Sequence, residues 1–386
     1  MSSKITDSVF YVGVNDKDID LFEGQYIVPN GMAYNSYVIM DEKIAIMDMV
    51  DQRKSKEWMD NLEEVLGERQ PDYLVISHME PDHSAYLNDV IEKYPAMQVV
   101  SNAKLFGMLP QFFDVDIEEK KVVVAEGDTL NLGVHTLQFM MAPMVHWPEV
   151  MVTYEQADKI LFSADGFGKF GTLDTDEDWA CEARRYYFNI VGKYGMPVQT
   201  LLKKAAALDI QIICPLHGPV LTENLPYYID KYQVWSSYEP EDKGIFIAYC
   251  SLHGNTEKAA KELAAVLEEK GAPKVVVVSD LAREDLAECL EDAFRYDRMV
   301  VAAPTYDAGM MPVMQDFLYH LRVKAYQKRT VGIIENGSWA PMAGKLMREP
   351  LEAMKDVTVL DNVVTIKSTM KEADKAQIEA LAQALL

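Results

Sequence analysis

Four side chains able to hold a metal ion fall within six residues in His78-Met79-Glu80-Pro81-Asp82-His83, directly after the apolar run Tyr73–Ser77. Three more follow: His146 in Met144-Val145-His146-Trp147-Pro148-Glu149, Asp165 in Phe162-Ser163-Ala164-Asp165-Gly166, and His217 in Cys214-Pro215-Leu216-His217-Gly218. Asp165 and His217 sit one to three residues past an expected strand, and His146 a few more. A single His or Asp after a strand is ordinarily a turn residue. Seven such residues at strand exits, taking four of the chain's seven histidines, point instead to ligands gathered at one rim of the sheets. Three carboxylates with up to four imidazoles suit two iron ions better than tetrahedral zinc, which favours nitrogen and sulfur, although zinc competes on raw affinity. One carboxylate, Asp165, can bridge two ions.

A second chemistry is written after residue 240. The strand expected over Ile245–Ser251 runs into Ser251-Leu252-His253-Gly254-Asn255-Thr256 and then a helix. A phosphate needs backbone N–H groups and short hydroxyl donors at a helix N-terminus. Gly254 permits close backbone approach, and Ser251, Asn255 and Thr256 supply donors. With no Lys or Arg in the loop, it fits a monophosphate held by dipoles and not a Walker loop; the bland alternative is a simple helix cap. Two further loops, Pro304-Thr305-Tyr306-Asp307-Ala308-Gly309 and Asn336-Gly337-Ser338-Trp339-Ala340-Pro341, leave the third and fourth strands at the same edge. Tyr306 and Trp339 can pack on an isoalloxazine ring, and backbone groups near Gly337 can tune it. Three loops in this order indicate FMN.

Elements that could position these residues are visible along the chain. Residues 1–240 read as mixed sheets with outer helices: strands Ser36–Met40, Ile44–Val50, Tyr73–Ser77, His135–Ala142, Met151–Tyr154, Ile160–Ala164 and Ile210–Cys214, and a helix Ser55–Leu66. Residues 241–386 alternate strand and helix five times: Ile245–Ser251 then Asn255–Lys270, Lys274–Asp280 then Leu281–Tyr296, Arg298–Tyr306 then Met311–Val323, Arg329–Glu335 then Met342–Lys355, and Val357–Lys367 then Lys371–Leu386. Runs such as Val275-Val276-Val277-Val278 suit a parallel strand buried on both faces, and five βα units match a doubly wound sheet whose ligand sits at the carboxyl ends of the strands. Gln233–Lys243 reads as the linker.

Composition narrows the classes. The chain has 386 residues, 49% hydrophobic and 25% charged, so it is globular, and at roughly 150 residues per domain it holds two or three domains. A net charge of −24 makes nucleic acid and anionic membranes poor partners. There is no run of 18 apolar residues and no secretory h-region, and the four dispersed cysteines form no CxxC, so the expected setting is a reducing cytoplasm.

These motifs resemble a known family. The first 240 residues look like a metallo-β-lactamase-fold domain. A zinc hydrolase of that fold normally shows His-x-His-x-Asp-His; here Glu80 takes the second His position, and His-Met-Glu-Pro-Asp-His resembles the version in flavodiiron proteins. The implied fold is α/β: an N-terminal metallo-β-lactamase-like αβ/βα sandwich (1–240) plus a C-terminal flavodoxin-like doubly wound parallel sheet (241–386). The resemblance implies one iron on His78, Glu80 and His146, the other on Asp82 and His217, and Asp165 bridging; members differ in whether the residue at His83 or a water completes the set. Many members carry a pocket histidine in their first thirty residues; none precedes His78 here. Arg184-Arg185-Tyr186-Tyr187-Phe188-Asn189 through Tyr194 also resembles the family, making Tyr194 a candidate catalytic residue or a packed core tyrosine. The three loops resemble the family's FMN site.

The implied activity is reduction of O2 to water or of NO to N2O, since two ferrous ions and a reduced flavin hold the four electrons that one O2 requires. The implied partners are an external donor, a rubredoxin or a deazaflavin, and a second copy in a head-to-tail homodimer or dimer of dimers, with Trp147 at the contact or simply packed behind the ligands. The basic run Lys324–Arg329 is the candidate docking patch for an acidic donor. Two rival functions remain: a zinc hydrolase fused to a flavodoxin, and a flavin electron carrier without catalytic metal.

Overall fold

A computed structural model describes residues 2–273 and 277–386, and the statements below concern those residues. Cα packing divides them into two compact units, Met1–Tyr187 with Met196–Gln233, and Phe188–Gly195 with Val234–Leu386.

The first unit holds a seven-stranded and a five-stranded sheet. In the larger, Ser3–Lys4, Val9–Tyr11, Tyr37–Ile39 and Ala45–Met47 pair antiparallel, and Tyr73–Val75, Gln98–Asn102 and Lys121–Val124 continue in parallel. In the smaller, Thr129–Asn131, Thr136–Met141, Met151–Glu155 and Ile160–Phe162 pair antiparallel, and Ile212–Cys214 joins in parallel. Alternate side chains of both sheets, among them Tyr37, Ile39, Met47, Val75, Phe139, Met151 and Phe162, form one shared core. The intervening positions Val38, Ile46 and Leu74 are equally buried on the outer face. The helix Ser55–Leu66, matching the expected bounds, buries Trp58, Met59, Leu62 and Leu66. This is an αβ/βα sandwich.

The second unit is a parallel sheet in the order Val277–Asp280, Asp242–Tyr249, Tyr296–Tyr306, Thr330–Asn336, Thr358–Ile366. In chain order that is 2-1-3-4-5, the flavodoxin-like arrangement. One face packs Ile245, Ile247 and Val300 against Leu263 and Leu267 of helix Asn255–Glu269 and Leu381 of helix Glu372–Leu385. On the other, Phe246 meets Phe317 of helix Pro312–Val323. The start of the expected strand Lys274–Asp280, with Val275 and Val276, lies outside the described residues.

Two expectations change. Gln233–Lys243 is not a loose linker: the helix Leu225–Ser236 and the strand Asp242–Tyr249 overlap its ends, and Trp235 is buried with its Nε1 donating to Glu241 at 2.7 Å. Phe188–Gly195, read within the first domain, groups with the second unit because Phe188 stacks on Phe294 at 4.2 Å. No helix of the described residues is long and apolar enough to cross a membrane.

Burial of one large apolar side chain contributes roughly 1.5–3 kcal/mol. Phe139, fully buried between the sheets of the first unit, is expected to cost about 3–5 kcal/mol on Phe139→Ala, read as a lowered urea midpoint.

Candidate metal centre and flavin cleft

Strand length decides where the chemistry lands. Tyr73–Val75, Ile160–Phe162 and Ile212–Cys214 each end three residues before a ligand-type residue: His78, Asp165 and His217. The last two strands are parallel neighbours, so Asp165 and His217 leave the sheet at the same end. After His78 the chain turns through a single helical turn, Pro81–Ser84, with Pro81 at its first position. That turn sends Glu80 one way and Asp82 and His83 another. His146 comes from the connection between Thr136–Met141 and Met151–Glu155.

All seven side chains meet, in two groups. In the first, Nε2 of His78 lies 3.1 Å from Oε2 of Glu80, 3.3 Å from Nε2 of His146 and 3.5 Å from Oδ2 of Asp165. Nε2 of His146 lies 3.2 Å from Glu80 and 2.9 Å from the same Asp165 oxygen. In the second, Nε2 of His83 is 3.4 Å from Oδ1 of Asp82 and 3.2 Å from Oδ1 of Asp165; Nε2 of His217 is 3.3 Å from Oδ2 of Asp82 and 3.7 Å from Oδ1 of Asp165. The two oxygens of Asp165 thus face different groups.

This donor set fits a metal pair. Both oxygens of Asp82 and Asp165 and the Nε2 of His83 are buried without a hydrogen-bond partner, a costly state unless cations satisfy them. Three carboxylates against two divalent ions leave the buried cluster near neutrality. Hydrogen bonds outside the cluster aim two of the rings. Nδ1 of His78 donates to the buried Glu149 at 2.8 Å, and Nδ1 of His217 donates to the Ala33 carbonyl at 2.8 Å. Glu149 lies in the His146 motif, but an acid three residues past a ligand-type residue is too common a pattern to mark its role in the sequence.

Aromatic rings wall the centre. Around His217 stand Phe22 at 5.4 Å, Tyr186 at 5.6 Å and Tyr34 at 5.8 Å. Trp147, half-buried, meets His78 edge-on at 5.1 Å and His146 at 6.1 Å. Burial raises the Tyr186 hydroxyl well above its usual value, and the charges of Asp165, Glu80 and Asp82 push the same way. Tyr194, the tyrosine picked from the sequence, instead groups with the second unit, half-buried beside the Lys193 ammonium. Tyr186, the last residue of helix Trp179–Tyr186, is the member of that run packed on His217, and the π-helical turn Tyr187–Val191 that follows shifts the helical phase before Tyr194.

In the second unit a cleft of about 380 Å³ opens at the carboxyl edge of the sheet. Its wall takes Ser251, Leu252, His253, Asn255 and Thr256 from the first loop, Pro304, Thr305 and Asp307 from the second, and Asn336, Gly337, Ser338, Trp339 and Ala340 from the third. Gly254 and Tyr306 stand outside the wall proper. Gly254 caps helix Asn255–Glu269 at φ +78 with no side-chain cap, leaving first-turn N–H groups for an anion. The Ser251 hydroxyl is buried and unpartnered beside them, which fits a phosphate. Tyr306 is 45% and Trp339 92% exposed, leaving ring faces free for a planar ligand. Thr305 is otherwise engaged: its Oγ1 accepts the N–H groups of Met342 and Ala343 at 2.9 and 3.1 Å. Ser368, not singled out from the sequence, also lines the cleft and is pinned to Asn336 by two 2.9 Å hydrogen bonds; its place just past the fifth strand was the available signal.

The basic run Lys324–Arg329 is not a free docking patch. Arg329 is buried and donates to the carbonyls of Tyr238, Gln327 and Phe294, while Lys328 pairs with Glu239 and Lys324 bonds the Asn189 carbonyl.

Comparison with known proteins follows the same division. Residues 32–218 match the ODP family beta lactamase and residues 246–380 the flavodoxin domain. An uncharacterized protein of Methanocaldococcus jannaschii is 29% identical over 96% of this chain and 95% of its own. An anaerobic nitric oxide reductase flavorubredoxin of Vibrio vulnificus is 30% identical over 86% of this chain and 70% of its own. The solved rubredoxin oxygen:oxidoreductase of Desulfovibrio gigas superposes with a TM-score of 0.90 at 26% identity, covering 100% of this chain and 98% of that one.

Two outcomes follow for the metal centre. Burial opposes protonation of His146, but the carboxylates of Asp165 and Glu80 beside it outweigh burial and lift the imidazole to about 9. Below that pH the metal-free ring holds a proton that a metal must displace, so ferrous loading is expected to release protons and to strengthen as pH rises from 6 toward about 9, checked by unbuffered titration and by affinity against pH. Glu149→Ala, which leaves Nδ1 of His78 without its acceptor, is expected to weaken metal affinity by about 10–100-fold, measured by chelator competition.

Proposed function

We propose, from the premise that this chain belongs to the flavodiiron protein family, that it reduces O2 to water, NO to N2O, or both, with electrons passed through FMN from an external donor. The observation that carries this is the junction of the two ligand groups at Asp165, whose oxygens lie 2.9 Å from His146 and 3.2 Å from His83. In this proposal His78, Glu80 and His146 would hold one iron and Asp82, His83 and His217 the other, with Asp165 lying between the two groups. Ser251, Asn255 and Thr256 hold the FMN phosphate, and Trp339, with backbone of Gly337 and Ser338, holds the ring.

When bound, the iron pair and flavin supply up to four electrons one at a time, a chemistry side chains lack. The chain's own residues do the rest. Glu149 fixes the tautomer and angle of His78, and the Ala33 carbonyl does the same for His217. Phe22, Tyr34, Tyr186 and Trp147 exclude water, so the charges of Glu80, Asp82 and Asp165 act in a low dielectric. Protons are consumed, four per O2 or two per NO pair. A cleft of about 330 Å³ that Glu80 and Asp82 share with Glu23, Asp51, Arg53 and Tyr34 offers their route from solvent. Within it Arg53 Nη2 donates to the Tyr34 hydroxyl at 3.1 Å and so holds that ring in place.

The donor and the assembly belong to the same proposal. A rubredoxin or a deazaflavin supplies electrons at the flavin edge. With a net charge of −24 and Lys324–Arg329 consumed internally, an acidic protein donor gains no charge attraction there. A head-to-tail homodimer, alone or paired into a dimer of dimers, brings one protomer's flavin to its partner's metal pair. The exposure of Trp339, Tyr306 and Leu252 supports a covered flavin edge.

The test is anaerobic stopped-flow of the reduced holoprotein with each gas. His146→Ala or Asp165→Ala is expected to lower turnover of both gases by about a hundredfold or more while bound FMN stays at one per chain. Two zinc ions per chain with no turnover of either gas would overturn the proposal in favour of a hydrolase.

A further inference from the structure

Solvent reaches the metal centre unequally. Among its ligand-type side chains Glu80 is 13% and Asp82 9% exposed, whereas His83, His217 and Asp165 are at most 1%. Both accessible carboxylates line the 330 Å³ cleft. Phe22 lines the same cleft yet is itself only 4% exposed, with its ring edge-to-face on His217 at 5.4 Å. It therefore stands between the cleft and the buried end of the centre.

Three rings wall His217, and they differ in what holds them. Tyr34 is tied to Arg53 by its hydroxyl, and Tyr186 sits on the helix Trp179–Tyr186. Phe22 has no polar anchor. It belongs to a two-stranded hairpin, Leu21–Phe22 with Tyr26–Ile27, that joins neither large sheet. The hairpin turns at Glu23 and Gly24, both at positive φ. The Phe22 ring rests on Phe170 at 5.8 Å and Tyr186 at 6.5 Å, so on the cleft side its size limits the room left beside His217.

The two candidate reactions make different demands on that room. Oxygen reduction, O2 + 4 e− + 4 H+ → 2 H2O, needs one diatomic molecule. Nitric oxide reduction, 2 NO + 2 e− + 2 H+ → N2O + H2O, must seat two close enough to form an N–N bond. Electrons in both cases come from the external donor. We propose that Phe22 is the specificity-determining residue that limits how many diatomic molecules fit beside the metal pair, and thereby sets the ratio of NO to O2 turnover. This rests on the gas-reductase function proposed above.

The test uses iron- and FMN-loaded holoprotein carrying Phe22→Ala, Phe22→Leu or Phe22→Trp. The measurements are kcat/KM for NO and for O2, and, independently of turnover, the association rate of azide with the oxidised metal pair. Phe22→Trp is expected to lower the NO:O2 ratio and slow azide by about tenfold, and Phe22→Ala to shift both the opposite way, with Phe22→Leu between. Unchanged ratios, with or without changed azide rates, overturn the selectivity role. If Phe22→Ala does not fold, the Leu and Trp variants carry the comparison. If the unsubstituted protein reduces neither gas, the gas-reductase function fails, and the azide series alone decides whether Phe22 limits access.

Discussion

One aspartate constrains the first unit. Asp165 is fully buried with its two oxygens turned to different groups of ligand-type side chains. Burial alone would keep such a carboxyl protonated, yet the imidazoles of His146 and His83 beside it hold it well below its usual range. A charge in that position stays ionised only if positive charge faces it on both sides. The same holds for Glu80, which His146 and His78 keep ionised against burial. Protons on the imidazoles can supply the positive charge, and metal ions supply it better, because they also satisfy the bare oxygens of Asp82 and the Nε2 of His83 that faces the cluster.

Much of the surrounding fold answers to that requirement. Short strands ending three residues before His78, Asp165 and His217 place three ligand-type residues just past strand ends. The one-turn helix Pro81–Ser84 folds four ligand-type residues of one hexapeptide onto two groups. The shared core between the sheets keeps these exits rigid, and rigidity is what lets Glu149 and the Ala33 carbonyl hold imidazole angles.

The second unit meets a different demand with softer means. A flavin phosphate needs uncapped N–H groups, and helix Asn255–Glu269 offers them behind a glycine at φ +78 with no side chain competing. Its ring needs apolar faces, left exposed on Trp339 and Tyr306. Cationic side chains are absent from the phosphate loop, and the nearest basic run in sequence to the flavin loops is spent on carbonyls and Glu239.

The fold class, the seven ligand-type residues and the three flavin loops were legible in the linear chain because each is local. A ligand follows a strand by a few residues, a phosphate loop sits between a strand and a helix, and buried parallel strands read as apolar runs. Helix Ser55–Leu66 emerged with its expected bounds for the same reason. What the chain in one dimension could not decide was which residues from distant segments share a space. Glu149 supports His78 across 71 positions, Phe22 and Tyr34 wall His217 from nearly 200 positions away, and the ring of Tyr186 packs against His217 from a separate helix. Such neighbours are chosen by packing volume and buried charge, quantities that exist only once both sheets have closed on each other.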